Sequence, residues 1–517
     1  MIKFTKLDLD WDTLISERTD DMGFKTGVLE DNTPEFFMYK PIGVESASRL
    51  IGQANRVLVY YDPDVDGLLA GEMASNFCRI TGKKYFQFVN SDRKHGFEKR
   101  VISTCKKNRI DLCLCVDFTI EADYIDRLNK ENIKVVCIDH HIPQDILKEK
   151  DLYTLINNQY KQDDVPDSIV TLSGAGVVYY ALYWILKGMG FEKEAKQWIE
   201  SIENKIWVGI TLLSDSRDIE NEICRYFLYT TYKYWNDSEH VEFILSFKTN
   251  DYVFGLPKIE RNFIDFEFSP VINSLFRFNK GLEIIRAFNE KEITSELLGY
   301  KQKQRKLVDY LYQHTDYRVY EKIVRGLLNV NSLKHEEELG ISANIDNFVG
   351  LIASRAKEHY RNTAWVISDS NKDLKRGSVR GIDSNFDYLS IFRQYTIANG
   401  HKMAFGTYSS KFIDVAKLNE DLTKYDKKVI NYPNFETTNL RTFLMQHDVK
   451  KMAYINMYLK NDRQILIEYK GRSATLKCKR GIAEEYLVDG VSATAFTSDF
   501  KYVHPILTSG YLQLVLE

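Results

Sequence analysis

Asp62-Pro63-Asp64-Val65-Asp66-Gly67 sets three carboxylates at every second position directly after an apolar run. Oxygen donors at that density suit a hard divalent cation. The same letters open an EF-hand calcium loop. Its twelfth position, where a bidentate glutamate is needed, is Met73 here, and a strand-like run rather than a helix leads in. Three further features share the setting: Asp117 ends DLCLCVD, Asp139-His140-His141 follows IKVVCI, and Asp215 closes IWVGITLLSD. Taken singly, each has an ordinary reading as a helix cap, a surface turn or a solvated acid. Taken together, they share one chemistry. Two divalent cations ~3.5–4 Å apart need a bridging carboxylate, flanking carboxylates and an imidazole or two, with positions left for water and phosphate. Such a pair lowers the pKa of a water and stabilises a transferring phosphoryl group.

The elements that must hold these residues can be read from the same text. RVLVYYD (56–62), DLCLCVD (111–117) and IKVVCID (133–139) are continuously apolar, as strands covered on both faces are. Helix-favouring segments lie after Gly67, over 97–108 and over 121–132. This alternation predicts a doubly wound α/β domain with a parallel sheet, which places the aspartates at the carboxyl ends of strands, where such sheets bind ligands. A glycine-containing apolar helix follows (172–190), then a helix running into 206–215. Residues 286–325 are charged and helix-favouring and read as one exposed connecting helix. A smaller α/β pattern fills 326–427, and alternating strands over 428–517 indicate a small β-rich module, OB-like in pattern. With an N-terminal segment (1–45) and a first α/β domain (46–285), the chain divides into five parts.

Bulk properties set broad limits. The 517 residues allow several domains, 28% charged and 44% hydrophobic residues are ordinary for a soluble protein, and a net charge of -3 leaves a local basic groove open. None of the seven cysteines forms a CxxC pair, and Cys113, Cys115 and Cys137 lie in apolar runs. They read as small buried hydrophobes in a reducing compartment. The N-terminus lacks the apolar core of a signal peptide, and Ala175 to Leu186 is short of the ~20 residues that span a bilayer. A cytoplasmic protein with no membrane partner, expected as a monomer, is the reading.

The series DxDxDG, Asp, DHH, Asp, in that order, resembles the DHH phosphoesterase superfamily, and within it the RecJ-like single-strand exonucleases. LSGAGVVYYAL (172–182), SDSRDIENE (214–222) and SPVINSLFR (269–277) are similar to further RecJ-like segments. FVGLIASR (348–355), GSVR (377–380) and NGHKMAFG (399–406) resemble the DHHA1 domain that faces the catalytic one, so the likeness spans roughly 50–410. The resemblance implies two metal ions, Mn2+ or Mg2+. It implies Asp117 as their bridge, Asp64 helped by Asp62 on one ion, and Asp66, His140 and Asp215 on the other. His141 would face the phosphate and Asp139 would orient a histidine. Ser378 and Arg380, in a Gly377-Ser378-x-Arg380 turn, would hold a terminal phosphate, with Asn273 and Arg277 helping and Asn399-Gly400-His401 near the scissile bond. The chain differs from the usual pattern at Asn399, at Phe118-Thr119, and at Ser214 and Ser216-Arg217 beside Asp215.

The implied activity is 5′→3′ hydrolysis of single-stranded DNA, with RNA as a further candidate strand and a single-strand-binding protein or helicase as candidate partner. Residues 450–480 fit a strand platform, with nine Lys/Arg against Asp462 and Glu468, interleaved with Tyr454, Tyr458 and Tyr469. A phosphodiesterase on short oligonucleotides or cyclic dinucleotides, and a non-catalytic nucleic-acid-binding scaffold, are the alternatives.

Overall fold

The computed structural model describes residues 2–3, 39–90, 98, 100–141, 151–160, 167–215, 222–248, 263–360, 362–371, 375–382, 386–409 and 413–426, together with the strands 453–461, 464–469, 472–477, 487–488, 491–492 and 512–516. The chain forms two compact units, one of residues 31–423 and one joining 1–30 to 424–517.

The larger unit opens with α1 (Val44–Gly52) and β1 (Arg56–Tyr61), followed by α2 (Val65–Ile80), β2 (Lys84–Val89) and α3 (Arg100–Asn108). Next come β3 (Leu112–Val116), α4 (Ala122–Lys130), β4 (Lys134–Asp139) and β5 (Tyr153–Asn157). The five strands form one parallel sheet in the order β2-β1-β3-β4-β5. Every residue of β3 and β5 is buried, as the continuous apolar runs require when helices cover both faces. Strand order reverses beside β1, so β1 and β3 leave the sheet in opposite senses. Their carboxyl ends flank the crevice where doubly wound sheets bind ligands. Helices α5 (Gly174–Gly188), α6 (Glu192–Glu200), α7 (Ile202–Ser214) and α8 (Glu222–Tyr234) complete this part, and α5 packs on α2, α1 and α7. Helix α5 is apolar nearly all round and accordingly buried, with Tyr179 seated between Trp198 and Phe227.

The stretch 286–325, read above as one exposed helix, differs in the structure. Helix α9 (Ser269–Arg277) leads to α10 (Gly281–Glu290), which ends at Lys291 in a left-handed conformation (φ 52°). Thr294 then caps the short α11 (Ser295–Leu298), and α12 (Tyr300–Gln313) and strand β6 (Thr315–Val319) follow. Helix α12 is no free connector. Leu307, Tyr310 and Leu311 are buried in a second core with Ile352, Ala353 and Ala356 of α13 (Val349–Tyr360). That core underlies a mixed sheet. Its strands are β6, β7 (Ile323–Leu328), β8 (Thr363–Ser368), β9 (Lys375–Arg380), β10 (Ile397–His401) and β11 (Ala404–Ser409), in the order β10-β11-β9-β8-β7-β6. Helix α14 (Val415–Asp426) follows.

The smaller unit contains a five-stranded antiparallel sheet. Ile2–Lys3 pairs with Leu512–Leu516, which pairs with Ala453–Asn461, then Gln464–Tyr469 and Arg472–Lys477. Of the N-terminal segment, Ile2 and Lys3 thus pair with the C-terminal strand. The side chains of the basic, tyrosine-bearing stretch 450–480 lie outside the described residues, as do Ser216, Arg217 and Cys478. The other six cysteines are buried thiols. Among the described residues, no helix is long and apolar enough to cross a membrane.

Candidate metal centre

The loop leaving β1 turns at once into α2. Asp64 caps the helix, its Oδ1 accepting from Gly67 N at 3.0 Å, and its own N–H donates to the Asp62 carbonyl at 3.0 Å. Only glycine fits at 67, since a Cβ there would lie 2.2 Å from the Asp62 carbonyl oxygen. Asp66, on the first turn of α2, is buried, and its two carboxylate oxygens accept from Gly174 N at 2.6 Å and Ala175 N at 2.8 Å. Those two N–H groups open α5, so a buried carboxylate sits on a helix N-terminus, where the dipole and the free donors favour negative charge.

Strand β3 delivers Asp117. Its N–H donates to the Ile138 carbonyl at 2.9 Å, and its backbone then turns left-handed (φ 65°), a conformation that costs most side chains roughly 1–2 kcal/mol. The turn aims the carboxylate back across the strand ends. Phe118 drops into the core against Tyr60, and Thr119 Oγ1 donates to Asp139 Oδ2 at 2.7 Å. The departure from the usual polar-glycine pair thus has a use, because Thr119 holds the next acidic residue. Asp139 Oδ1 accepts the N–H groups of His140 (2.7 Å) and His141 (3.2 Å) and lies 2.8 Å from His141 Nδ1. Asp139 therefore organises both histidines. His140 is buried with Nε2 3.1 Å from Asp117 Oδ1 and 3.9 Å from Asp66 Oδ2, whereas the His141 side chain is 35% exposed at the edge of the same cluster. Asp215 ends α7, its N–H bonded to the Thr211 carbonyl at 2.9 Å.

The donor atoms fall into three overlapping groups, each with all atoms within 4.8 Å of one another: Asp62, Asp64 and Asp117; Asp66, His140 and Asp215; and Asp117, Asp139, His140 and His141. Asp117 joins the first and third groups, and His140 joins the second and third. Burial, followed by the charges of Asp66, Asp64, Asp62 and Asp139, pushes the Asp117 carboxyl well above the usual range. Burial and the charges of Asp66 and Asp64 do the same to Asp215, against a smaller pull from His141. Burial pulls the His141 imidazole down, but Asp139, Asp62 and Asp215 outweigh it and hold the ring at about 10. Asp117 Oδ1 is buried and, among the described residues, accepts no hydrogen bond, although His140 Nε2 is near. An orphaned carboxylate oxygen inside a carboxylate–imidazole set fits hard divalent ions. Sequence reasoning named these acids and histidines. It missed Gly174, whose missing side chain makes room for Asp117 (a Cβ would lie 2.0 Å from Oδ1), although the LSGAG segment was in view.

The residues assigned to substrate sit on other elements. Asn273 is half-buried on α9; Arg277, at the end of α9, is buried, donates from Nη1 to Gln304 on α12 at 2.8 Å, and its carbonyl accepts from Asn347 Nδ2 at 2.9 Å. Gly377, Ser378 and Arg380 correct the expectation of a turn. They lie in β9, an inner strand paired on both sides with β8 and β11, so their backbone groups belong to the sheet ladders. Glycine is needed at 377 because a Cβ would meet Thr407 Oγ1 at 2.5 Å and the Trp365 indole nitrogen at 2.8 Å. Arg380 Nη1 donates to Ser378 Oγ at 2.8 Å, and Gly350, on the first turn of α13, leaves room for the guanidinium beside it. Asn399 and Gly400 are exposed near the end of the edge strand β10. Gly400 has φ 137°, and His401 is the last residue of that strand.

Residues 56–210 match the family described as DHH family, N-terminal domain. Residues 56–210 are a DHH domain. The chain is also 22% identical over 390 residues, 71% of its length, to the single-stranded-DNA-specific exonuclease RecJ of Escherichia coli (strain K12). That alignment spans 65% of the E. coli protein. Two solved structures share the fold. Exonuclease RecJ bound to manganese aligns with TM-score 0.52 and 16% identity over 77% of this chain and 96% of that one. RecJ from Thermus thermophilus, in complex with Mn2+, aligns with TM-score 0.58 and 15% identity over 93% of this chain and 74% of that one. The α/β architecture is thus that of RecJ, and the DHH domain holds all of the candidate metal residues except Asp215, just beyond its matched end.

Proposed function

We propose that this chain is a two-metal, Mn2+- or Mg2+-dependent exonuclease that hydrolyses single-stranded DNA from the 5′ end. The observation that carries the reading is the buried, mutually repelling set of carboxylates around Asp117, with one oxygen unpaired and His140 beside it. Similarity to RecJ supports the substrate class. Asp117 with Asp62 and Asp64 would hold one ion, and Asp66, His140 and Asp215 the other. When bound, such a pair activates water and stabilises the transferring phosphoryl group. His141, partly exposed and held at a raised pKa of about 10, would donate to a phosphate oxygen, a role supported by the Asp139 contact that orients its ring. Ser378 and Arg380 supply a hydroxyl and a guanidinium for a terminal 5′-phosphate.

Single-stranded oligonucleotides labelled at the 5′ or the 3′ end, and dinucleotides, incubated with and without Mn2+, test the proposal. Mononucleotides released from the 5′ end only with metal are expected, with Asp117→Ala inactive under every metal condition. Rapid cleavage of dinucleotides with intact longer strands would overturn the polymer reading in favour of a short-oligonucleotide phosphodiesterase. Strand binding without any cleavage would leave a scaffold.

A further inference from the structure

The two histidines after Asp139 have all four backbone polar groups held by side chains. Their N–H groups donate to Asp139 Oδ1, as described. The His141 carbonyl accepts from Asn157 Nδ2 at 2.9 Å, and the His140 carbonyl accepts from Gln159 Nε2 at 3.0 Å. Asn157 is buried, ends β5 opposite Asp139, and its Oδ1 accepts from Gln159 N at 2.8 Å. The sheet ladder stops at this pair, and beyond it two side-chain amides take over the work of a neighbouring strand.

Gln159 does more than finish the ladder. The same Nε2 lies 3.3 Å from the Val170 carbonyl, and the adjacent Asn158 Nδ2 donates to the Ile169 carbonyl at 2.8 Å. Val170 and Ile169 belong to the turn Asp167–Thr171, which leads into Ser173, the cap of α5. The first N–H groups of α5 hold Asp66. One amide therefore stands between the backbone of His140 and the turn that sets the helix end gripping Asp66. The donors on the two sides, His140 Nε2 and Asp66 Oδ2, are 3.9 Å apart and share one candidate metal group.

We propose that Gln159, seconded by Asn157, is a positioning residue of the metal centre: it fixes the separation of His140 from Asp66. The inference rests on the metal reading above. A merely structural amide would lower the unfolding temperature on removal and leave metal affinity alone. A positioning amide changes affinity, because loss of such outer partners typically weakens metal binding about 10–100-fold.

Gln159→Met keeps the length of the side chain and removes the donor. Mn2+ is titrated calorimetrically into the metal-free full-length chain, its electron paramagnetic resonance spectrum is recorded, and unfolding without metal is followed in parallel. The expected result is Mn2+ binding weakened about 10–100-fold with a changed spectrum, beyond whatever the lost hydrogen bonds take from the unfolding midpoint. Asn157→Ser repeats the test at the second carbonyl and serves alone should Gln159→Met fail to fold. Wild-type Mn2+ affinity and spectrum in the folded variant overturn the positioning role while the metal reading stands. Absence of Mn2+ binding in the wild-type chain overturns both.

Discussion

Gly174→Ala places one methyl group between the two halves of the candidate centre. The new Cβ would lie 2.0 Å from Asp117 Oδ1, and since real Cβ contacts stay beyond 3.0 Å, something must move by about 1 Å. Neither neighbour yields easily. Asp117 is fixed by a left-handed backbone and its bond to the Ile138 carbonyl, and Gly174 N is fixed to Asp66 at 2.6 Å. A misplacement of about 1 Å in a catalytic constellation costs ~10²-fold in rate, about 2.7 kcal/mol at 1.36 kcal/mol per tenfold. Overpacking takes a further ~1–3 kcal/mol from the stability of the metal-free protein. The assay is turnover of a 5′-labelled single strand at saturating Mn2+, beside a calorimetric Mn2+ titration. Gly176→Ala, two residues along, is the comparison, because its nearest neighbours, Leu172 Cδ2 at 3.0 Å and Cβ at 3.2 Å, need give way by only a few tenths of an ångström. That variant should stay within about twofold of wild type, the range of a substitution that disturbs nothing essential. Equal behaviour of Gly174→Ala and Gly176→Ala in both measurements would refute the account of Asp117 and Asp66 as one rigid unit.

Metal affinity should rise with pH. The Asp117 and Asp215 carboxyls are held above their usual range without metal, so an entering ion displaces protons, and calorimetry in buffers of different ionisation enthalpy reads that release. The metal-free protein should become less stable as pH rises from 6.5 towards 10. The folded His141 pKa is raised to about 10 from 6.5, so its stabilising contribution is complete below 6.5 and lost as pH passes the higher value; His141→Asn should flatten that slope in thermal melts. Arg380→Ala should reduce the preference for a 5′-phosphorylated over a 5′-hydroxyl strand while leaving Mn2+ titration unchanged; equal preference in variant and wild type would remove Arg380 from the pocket. Thr119→Val removes a hydrogen bond to a buried carboxylate, worth ~1.5–3 kcal/mol, and should lower turnover through a loosened Asp139 without altering KM for the strand.

The metal centre was legible because each of its strands is buried on both faces. β1, β3 and β4 therefore appear as unbroken apolar runs, and the acids stand out at their ends. β2 was overlooked because it is an edge strand with alternating exposure, and β5 because its five residues carry Thr154 and Asn157. The shape of the 286–325 stretch was misjudged for a different reason. Its charged text describes the outward face of α12, while Leu307 and Leu311 gain their burial from α13, some forty residues later. Gly377 looked like a turn because glycine usually marks one. Its cause is the crossing of Trp365 and Thr407 beside it, a tertiary fact with no local signature. For the same reason Gln159 and Asn157 gave no sign, since an amide that reaches for a carbonyl is indistinguishable in text from one that reaches for water.

The pairing of Ile2 with Leu516 bears on how the molecule is made. Some five hundred residues must leave the ribosome between the two strands. At ~5–20 residues per second, the first strand waits about half a minute to nearly two minutes for its neighbour. The larger unit, continuous from 31 to 423, has every segment it needs well before then. Vectorial synthesis therefore completes the larger unit first and the smaller sheet last. A pulse-labelled nascent chain should accordingly acquire protease resistance over 31–423 while its two ends remain open to cleavage.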